Sequence, residues 1–179
     1  MKRNSPTIDI HLLGTFDIRL AGNALKFPYE KPKLLCAYLI TEGGPLSRSH
    51  LAERLWPDRS THHARQNLRQ AIATLKRLFG TTFDELFTLT RHSVEFIGHG
   101  RCTVDIELLK DTAQTSSNSV IAAWQSPISY FYPGPFCQGM NIGDCQEFDE
   151  WLQARRLEFQ SLAITLSRKL LNAGNIAGD

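Results

Sequence analysis

Residues 61–79 read THHARQNLRQAIATLKRLF, and the order of apolar and cationic positions there decides how the rest of the chain is read. At about 100° per residue, Ala64, Leu68, Ala71, Ile72, Leu75, Leu78 and Phe79 fall on one contiguous side of a helix. His62, Arg65, Gln66, Arg69, Gln70, Lys76 and Arg77 fall on the other, with Asn67 at its edge. Ser60 or Thr61 can cap the start, and Gly80 closes the end. From Arg59 to Phe83 there is no Asp or Glu, against five Lys or Arg and two His. A solvated helix ordinarily mixes signs, because opposite charges four residues apart stabilise it. A one-signed face is costly unless a polyanion neutralises it. Arg and Lys match phosphate oxygens. In a DNA major groove, Arg also suits guanine, and Gln or Asn suits adenine. Taken alone, the helix has a plainer alternative, a merely basic surface.

The neighbouring segments favour the first reading. Residues 32–40 are too apolar for a surface helix and run into Gly43-Gly44, so they predict a buried helix ending at the glycines. Ser47 or Ser49 can cap a second helix with Leu51, Ala52, Leu55 and Trp56 on one face, stopped by Pro57. A short connection then leads into the basic helix, which makes a helix-turn-helix. Phe87 and Leu89, then Val94 and Phe96, alternate with polar residues around Arg91-His92-Ser93, which predicts a hairpin with a basic tip. Ahead of the helices, Ile8, Ile10 and Leu12 alternate with Asp9 and His11. Phe16, Ile18 and Leu20 alternate in the same way with Asp17 and Arg19. Ala21-Gly22-Asn23 is turn chemistry, and Leu25 and Phe27 are expected in a third short strand. The fold class is therefore α+β: a small antiparallel sheet, three helices and a C-terminal hairpin, the parts of a winged helix-turn-helix.

Composition narrows the function classes. The chain has 179 residues, 42% hydrophobic and 21% charged, enough for a real core. No run of about 18 apolar residues occurs, so no membrane partner is expected. Met1-Lys2-Arg3 is not followed by an apolar stretch, which argues against secretion. Cys36, Cys102, Cys137 and Cys145 form no CxxC pair, and reduced thiols in a cytoplasmic, nucleoid-associated protein are expected. His62-His63 project in different directions on a helix and have no third ligand, so no metal is expected. GxxxxGK, GxSxG, HExxH and GxGxxG are all absent; no enzymatic activity and no cofactor are expected. Residues 1–100 carry 14 Lys and Arg against 9 Asp and Glu, whereas residues 101–179 carry 6 against 9. That asymmetry suggests two modules with different partners, 1–102 and 103–179.

The second module reads as helical. Residues 108–114 and 120–125 predict short helices around a polar loop at 115–118. Residues 147–172 predict a long helix, acidic at its start, basic at its end and stopped at Gly174. Trp56 and Trp151 are expected as core anchors. Tyr130, Phe131, Tyr132 and Phe136, grouped around Pro133-Gly134-Pro135, are expected to pack between the two modules.

Particular motifs carry a resemblance. Leu13-Gly14-Thr15-Phe16, Lys33-Leu34-Leu35-Cys36-Ala37-Tyr38-Leu39 and Leu46-Ser47-Arg48-Ser49-His50-Leu51-Ala52-Glu53-Arg54-Leu55-Trp56-Pro57 resemble the DNA-binding domain of the SARP-type transcriptional activators. Residues 64–78, ARQNLRQAIATLKRL, resemble that family's recognition helix. Tyr132-Pro133-Gly134-Pro135-Phe136, Phe148-Asp149-Glu150-Trp151-Leu152 and Arg155-Arg156 resemble the start of the bacterial transcriptional activator domain that comes after it. The resemblance implies an OmpR/PhoB-type winged helix in the first module and the beginning of an all-α, tetratricopeptide-like domain in the second. It also implies binding to direct repeats at promoters and recruitment of RNA polymerase, often through its sigma subunit. No receiver domain precedes the winged helix, so phosphorelay control is not expected. The family's helical domain is about twice as long as the stretch after Cys102, so a longer natural protein is expected.

Each polar residue of these elements has an expected role. Arg65, Gln66, Arg69 and Gln70 are expected at base edges or elsewhere in the groove, some touching only phosphate. Lys76 and Arg77 suit phosphate or the dipole at the helix C-terminus. His62 and Asn67 join the same face. Ser47, Arg48 and Thr61 lie at helix N-termini, where phosphate binds, although plain capping explains both hydroxyls equally. Arg91 and His92 at the wing tip are expected to reach a phosphate or the minor groove, with an exposed, idle turn as the plainer alternative. The loop Pro57, Asp58, Arg59 and Ser60 meets RNA polymerase, by analogy alone. The function expected is a sequence-specific double-stranded DNA-binding regulator, an activator able to self-associate on DNA. The alternative is a protein-interaction module that turns the same basic helix to an acidic protein.

Overall fold

The computed structural model describes residues 7–115, 126–141 and 145–176, with side chains to residue 172 in the last helix. Two short strands open it. β1 (Ile8–His11) and β2 (Asp17–Leu20) pair antiparallel with Ile10 opposite Ile18, both buried, as their alternation predicts. Ala21 and Gly22, both at positive φ, turn the chain into β3 (Asn23–Ala24) on β2. Strand pairing thus ends before Leu25 and Phe27, which pack half-buried on the core instead.

The helix α1 (Glu30–Glu42) buries every residue from Leu34 to Ile40. Pro32 sits in its first turn, where the missing N–H costs no helix bond. Gly43 and Gly44 end it at φ of 64° and 67°. An unexpected strand comes next: β4 (Gly44–Ser47) pairs antiparallel with β6, Leu46 opposite Val94. Four residues containing a proline carry no alternation to read. Then come α2 (Arg48–Leu55), α3 (Thr61–Phe79), one 3₁₀ turn (Gly80–Thr82) and the short α4 (Phe83–Leu86). The wing is β5 (Phe87–Leu89) and β6 (Ser93–Phe96), and with β4 it forms a three-stranded sheet in the order β4-β6-β5. Phe79, Phe83, Phe87 and Phe96 meet beneath it at centroid distances of 5.0–6.5 Å.

A two-residue strand, β7 (Thr103–Val104), pairs parallel with β1 and completes a first sheet of order β3-β2-β1-β7. Helices dominate from there: α5 (Asp105–Gln114), α6 (Ile128–Phe131) and α7 (Gln146–Ile176). α5 starts three residues earlier than its apolar spacing suggests. α7 runs past Gly174, because one glycine costs a helix only about 1 kcal/mol and does not by itself stop it. The helix expected at 120–125 lies outside the described residues.

The two halves share one continuous core, from Ile8 to Leu166. At the junction the Asp105 carboxylate accepts the backbone N–H groups of Leu12, at 2.9 Å from each oxygen, and of Leu13 at 2.8 Å. Burial pushes its titration up, and those N–H donors pull it back down only in part. The 133–138 segment docks on the same stretch. Gly14 donates to the carbonyls of Gly134 and Pro135, Cys137 donates to Leu12, and Gln138 donates to Gly14. Phe136 is fully buried between Trp151 and Phe159, while Tyr130 is 64% exposed, so the aromatic group splits rather than packing as one. Glu42, at the end of α1, accepts from the Trp151 indole at 2.6 Å and from Arg155 at 2.8 Å. Trp151 is buried; Trp56 is only half-buried.

Asp105→Ala leaves two N–H groups without their acceptor and should cost about 2–4 kcal/mol in urea unfolding; Asp105→Asn should cost less. Because the folded-state pKa is raised, the contribution of Asp105 is fully present below the ordinary carboxylate range and fades as pH rises through the folded value. The pH slope this adds to wild-type stability should vanish in Asp105→Asn. Phe136→Ala should cost about 3–5 kcal/mol and lower a single transition seen alike by probes in both halves. Two separated transitions would contradict a shared core.

Candidate nucleic-acid interface

Of the three elements expected to touch DNA, the wing and the start of α2 are joined by a backbone bond, and α3 packs against α2. The tip of the wing is a tight turn. The Thr90 N–H donates to the Ser93 carbonyl at 3.0 Å, and the Thr90 hydroxyl accepts from the N–H groups of His92 and Ser93 at 3.1 and 2.9 Å. This frees the Arg91 and His92 side chains, and both residues are exposed. The His92 carbonyl in turn accepts from the Arg48 N–H at 2.8 Å, and the Arg48 guanidinium donates to the Thr90 carbonyl at 3.1 Å. The wing therefore hangs directly on the first residue of α2.

Ser47 precedes α2, but its side chain caps nothing. Its hydroxyl is instead hydrogen-bonded to that of Ser49 at 2.8 Å. At α3 the cap is Ser60, whose hydroxyl accepts from the His63 N–H at 3.5 Å and also meets the His63 ring at 3.1 Å. Thr61 is the first helical residue and its side chain is free of that duty. On α3 the wheel holds well: Ala64, Leu68, Ala71, Ile72, Leu75 and Phe79 are buried, with Leu78 half-buried and Thr74 buried beside them. His62, Arg65, Gln66, Arg69, Gln70, Lys76 and Arg77 are exposed, and Asn67 is half-buried at the edge.

A groove of about 490 Å³ opens where these elements meet. Arg48, Arg65, Arg69 and Arg91 line it, with Ser47, Ser49 and His92 on its walls and Leu68 on its floor. No carboxylate lines it. Several cations elsewhere are matched: Arg19 with Asp17, Arg155 with Glu42 and Glu158, and Arg156 with three backbone carbonyls. Among the described residues, Arg65, Arg69 and Arg91 have no such partner. Guanidinium groups left together without counter-charge are a docking place for phosphate oxygens.

Six of the residues expected at the site are thus brought together: Ser47, Arg48, Arg65, Arg69, Arg91 and His92. The others lie outside the groove. Gln66 and Gln70 are on the outward ridge of α3. Lys76 is held 5.5 Å over the Phe83 ring, and Arg77 lies next to it. Pro57, Asp58, Arg59 and Ser60 are exposed in the preceding loop, where the Arg59 N–H closes a turn on the Trp56 carbonyl. Ser49 also lines the groove, although its sequence context marks it only as a capping candidate. Burial pushes the Cys102 thiol up to about 11 and raises Cys36 and Cys137 further, so these thiols stay protonated. No helix among the described residues is long and apolar enough to cross a membrane.

No family model and no curated protein matches the chain. Among solved structures, Mycobacterium tuberculosis EmbR in complex with a low affinity phosphopeptide is similar at a TM-score of 0.69 and 16% identity. The likeness covers 97% of this chain and 48% of that one, so the chain spans about half the length of EmbR in that structure. It shows the fold: a mixed α+β arrangement with a winged-helix-like first part and a helical second part.

Proposed function

We propose that the chain is a sequence-specific double-stranded DNA-binding regulator of transcription, acting as an activator of the SARP type. The observation that carries this is the carboxylate-free groove in which α2, α3 and the wing present four arginines together. In this reading α3 enters the major groove, while the start of α2 and the wing tip hold the backbone. His62, Asn67, Lys76, Arg77 and Thr61 extend the same face along the helix. The loop from Pro57 to Ser60 and the acidic helical half are left for protein partners, RNA polymerase with its sigma subunit first among them. Adjacent copies assemble on direct repeats. The chain works by binding, without catalysis or cofactor, in the cytoplasm at the nucleoid. EmbR's phosphopeptide supports no parallel claim here, since a likeness at 16% identity carries the fold and not the ligand.

Fluorescence anisotropy against salt tests the reading, using promoter duplexes of the source genome and scrambled duplexes. Neutralising about six phosphates gives a slope of log K on log salt near −5. Arg65→Ala and Arg91→Ala should each weaken binding and reduce the slope by about one. Arg19→Ala, away from the groove, should change neither. A slope near zero, or binding only to an acidic protein, would contradict the reading.

A further inference from the structure

We infer that α3 divides its work: Gln66 and Gln70 read adenine edges, while Arg65 and Arg69 hold phosphates and contribute no base preference. This rests on the DNA reading and names the residues that give it specificity. The polar face of α3 is not uniform. At about 100° per residue, Gln66, Gln70 and Ala73 stand within about 30° of the direction opposite the buried apolar row of Ala64, Leu68, Ala71, Ile72, Leu75 and Phe79, whereas Arg69 lies about 70° and Arg65 about 110° to one side. Gln66, Gln70 and Ala73 are the outermost part of the helix, all three are exposed, and the ridge they form is uncharged until Arg77.

Arg65 and Arg69 stand on one flank instead, turned into the groove with Ser47, Ser49 and Arg91. That groove is walled by the start of α2 and by the wing, whose Ser47, Ser49, Arg48, Arg91 and His92 side chains suit phosphate rather than base edges. Four arginines crowded together repel one another unless each meets an anion. A row of backbone phosphates supplies anions at every nucleotide; a single guanine carries no net charge. A glutamine side chain on the outer ridge has the opposite fit. Its amide NH2 donates to adenine N7 while its carbonyl accepts from the adenine N6 amine, a bidentate match. Gln66 and Gln70 are one turn apart, a rise of about 6 Å, close to two base-pair steps of about 3.4 Å.

The test starts from duplexes with randomised centres, selected on the full chain. Wild type should enrich adenine at two positions about two steps apart. On the selected duplex and its single-base variants, Gln66→Ala and Gln70→Ala should each lose roughly tenfold discrimination at one position and keep the salt slope. Arg65→Ala and Arg69→Ala should weaken every duplex alike, keep the enriched bases and lower the slope by about one. Arg65→Lys and Arg69→Lys should restore the slope, because a phosphate contact needs the charge and a guanine contact needs the planar fork. All these positions are exposed, and unchanged far-ultraviolet circular dichroism checks folding. Arginine variants that change the enriched base, or glutamine variants that leave discrimination intact, would overturn the inference while leaving DNA binding standing. Failure of wild type to bind any duplex would instead overturn the reading beneath it.

Discussion

The buried row of α3 is the constraint on which the rest depends. Six side chains, Ala64, Leu68, Ala71, Ile72, Leu75 and Phe79, are almost fully removed from water against α1, α2 and α4. A buried Leu, Ile or Phe contributes about 1.5–3 kcal/mol. The outward face gives up opposite-charge pairs worth only about 0.2–0.5 kcal/mol each. Packing therefore fixes the helix and its rotation, and leaves the choice of outward residues to whatever the protein binds. Arg65 and Arg69 can sit one turn apart with like charge because the cost is small beside what holds the helix.

The same core continues into the second half. Asp105 binds the N–H groups of Leu12 and Leu13, the 133–138 segment bonds to Leu12 and Gly14, and Glu42 joins the end of α1 to Trp151 and Arg155. Cys145 adds an S–H bond to the Arg54 carbonyl, near the end of α2. The start of α7 thereby touches α2, whose other end carries the wing through Arg48.

How much of this is legible in the sequence depends on the kind of signal. β1, β2, α3 and the wing hairpin each carry a full period of apolar alternation, and the structure places them where that alternation predicts. β4 and β7 are too short to carry a period; their pairing is decided by β6 and β1, which lie far along the chain. Asp105 reads as an acidic residue at a helix start, because nothing local reveals that Leu12 and Leu13 lack acceptors. The basic face is visible from composition alone. Its division is not: the flank on which Arg65 and Arg69 differ from Gln66 and Gln70 has meaning only once the wing and the start of α2 are in place. Ser49 escapes sequence reading as a groove residue for the same reason, since its hydroxyl serves Ser47 rather than the helix backbone.

The most direct test of the central claim is an amide and arginine side-chain NMR shift map of the chain titrated with a duplex. Shifts should concentrate at Ser47, Ser49, Arg65, Gln66, Arg69, Gln70 and Arg91, with the outer face of α7 around Leu157 and Ile164 unchanged. Shifts confined to α7 or to the β3 edge, with the groove silent, would contradict it.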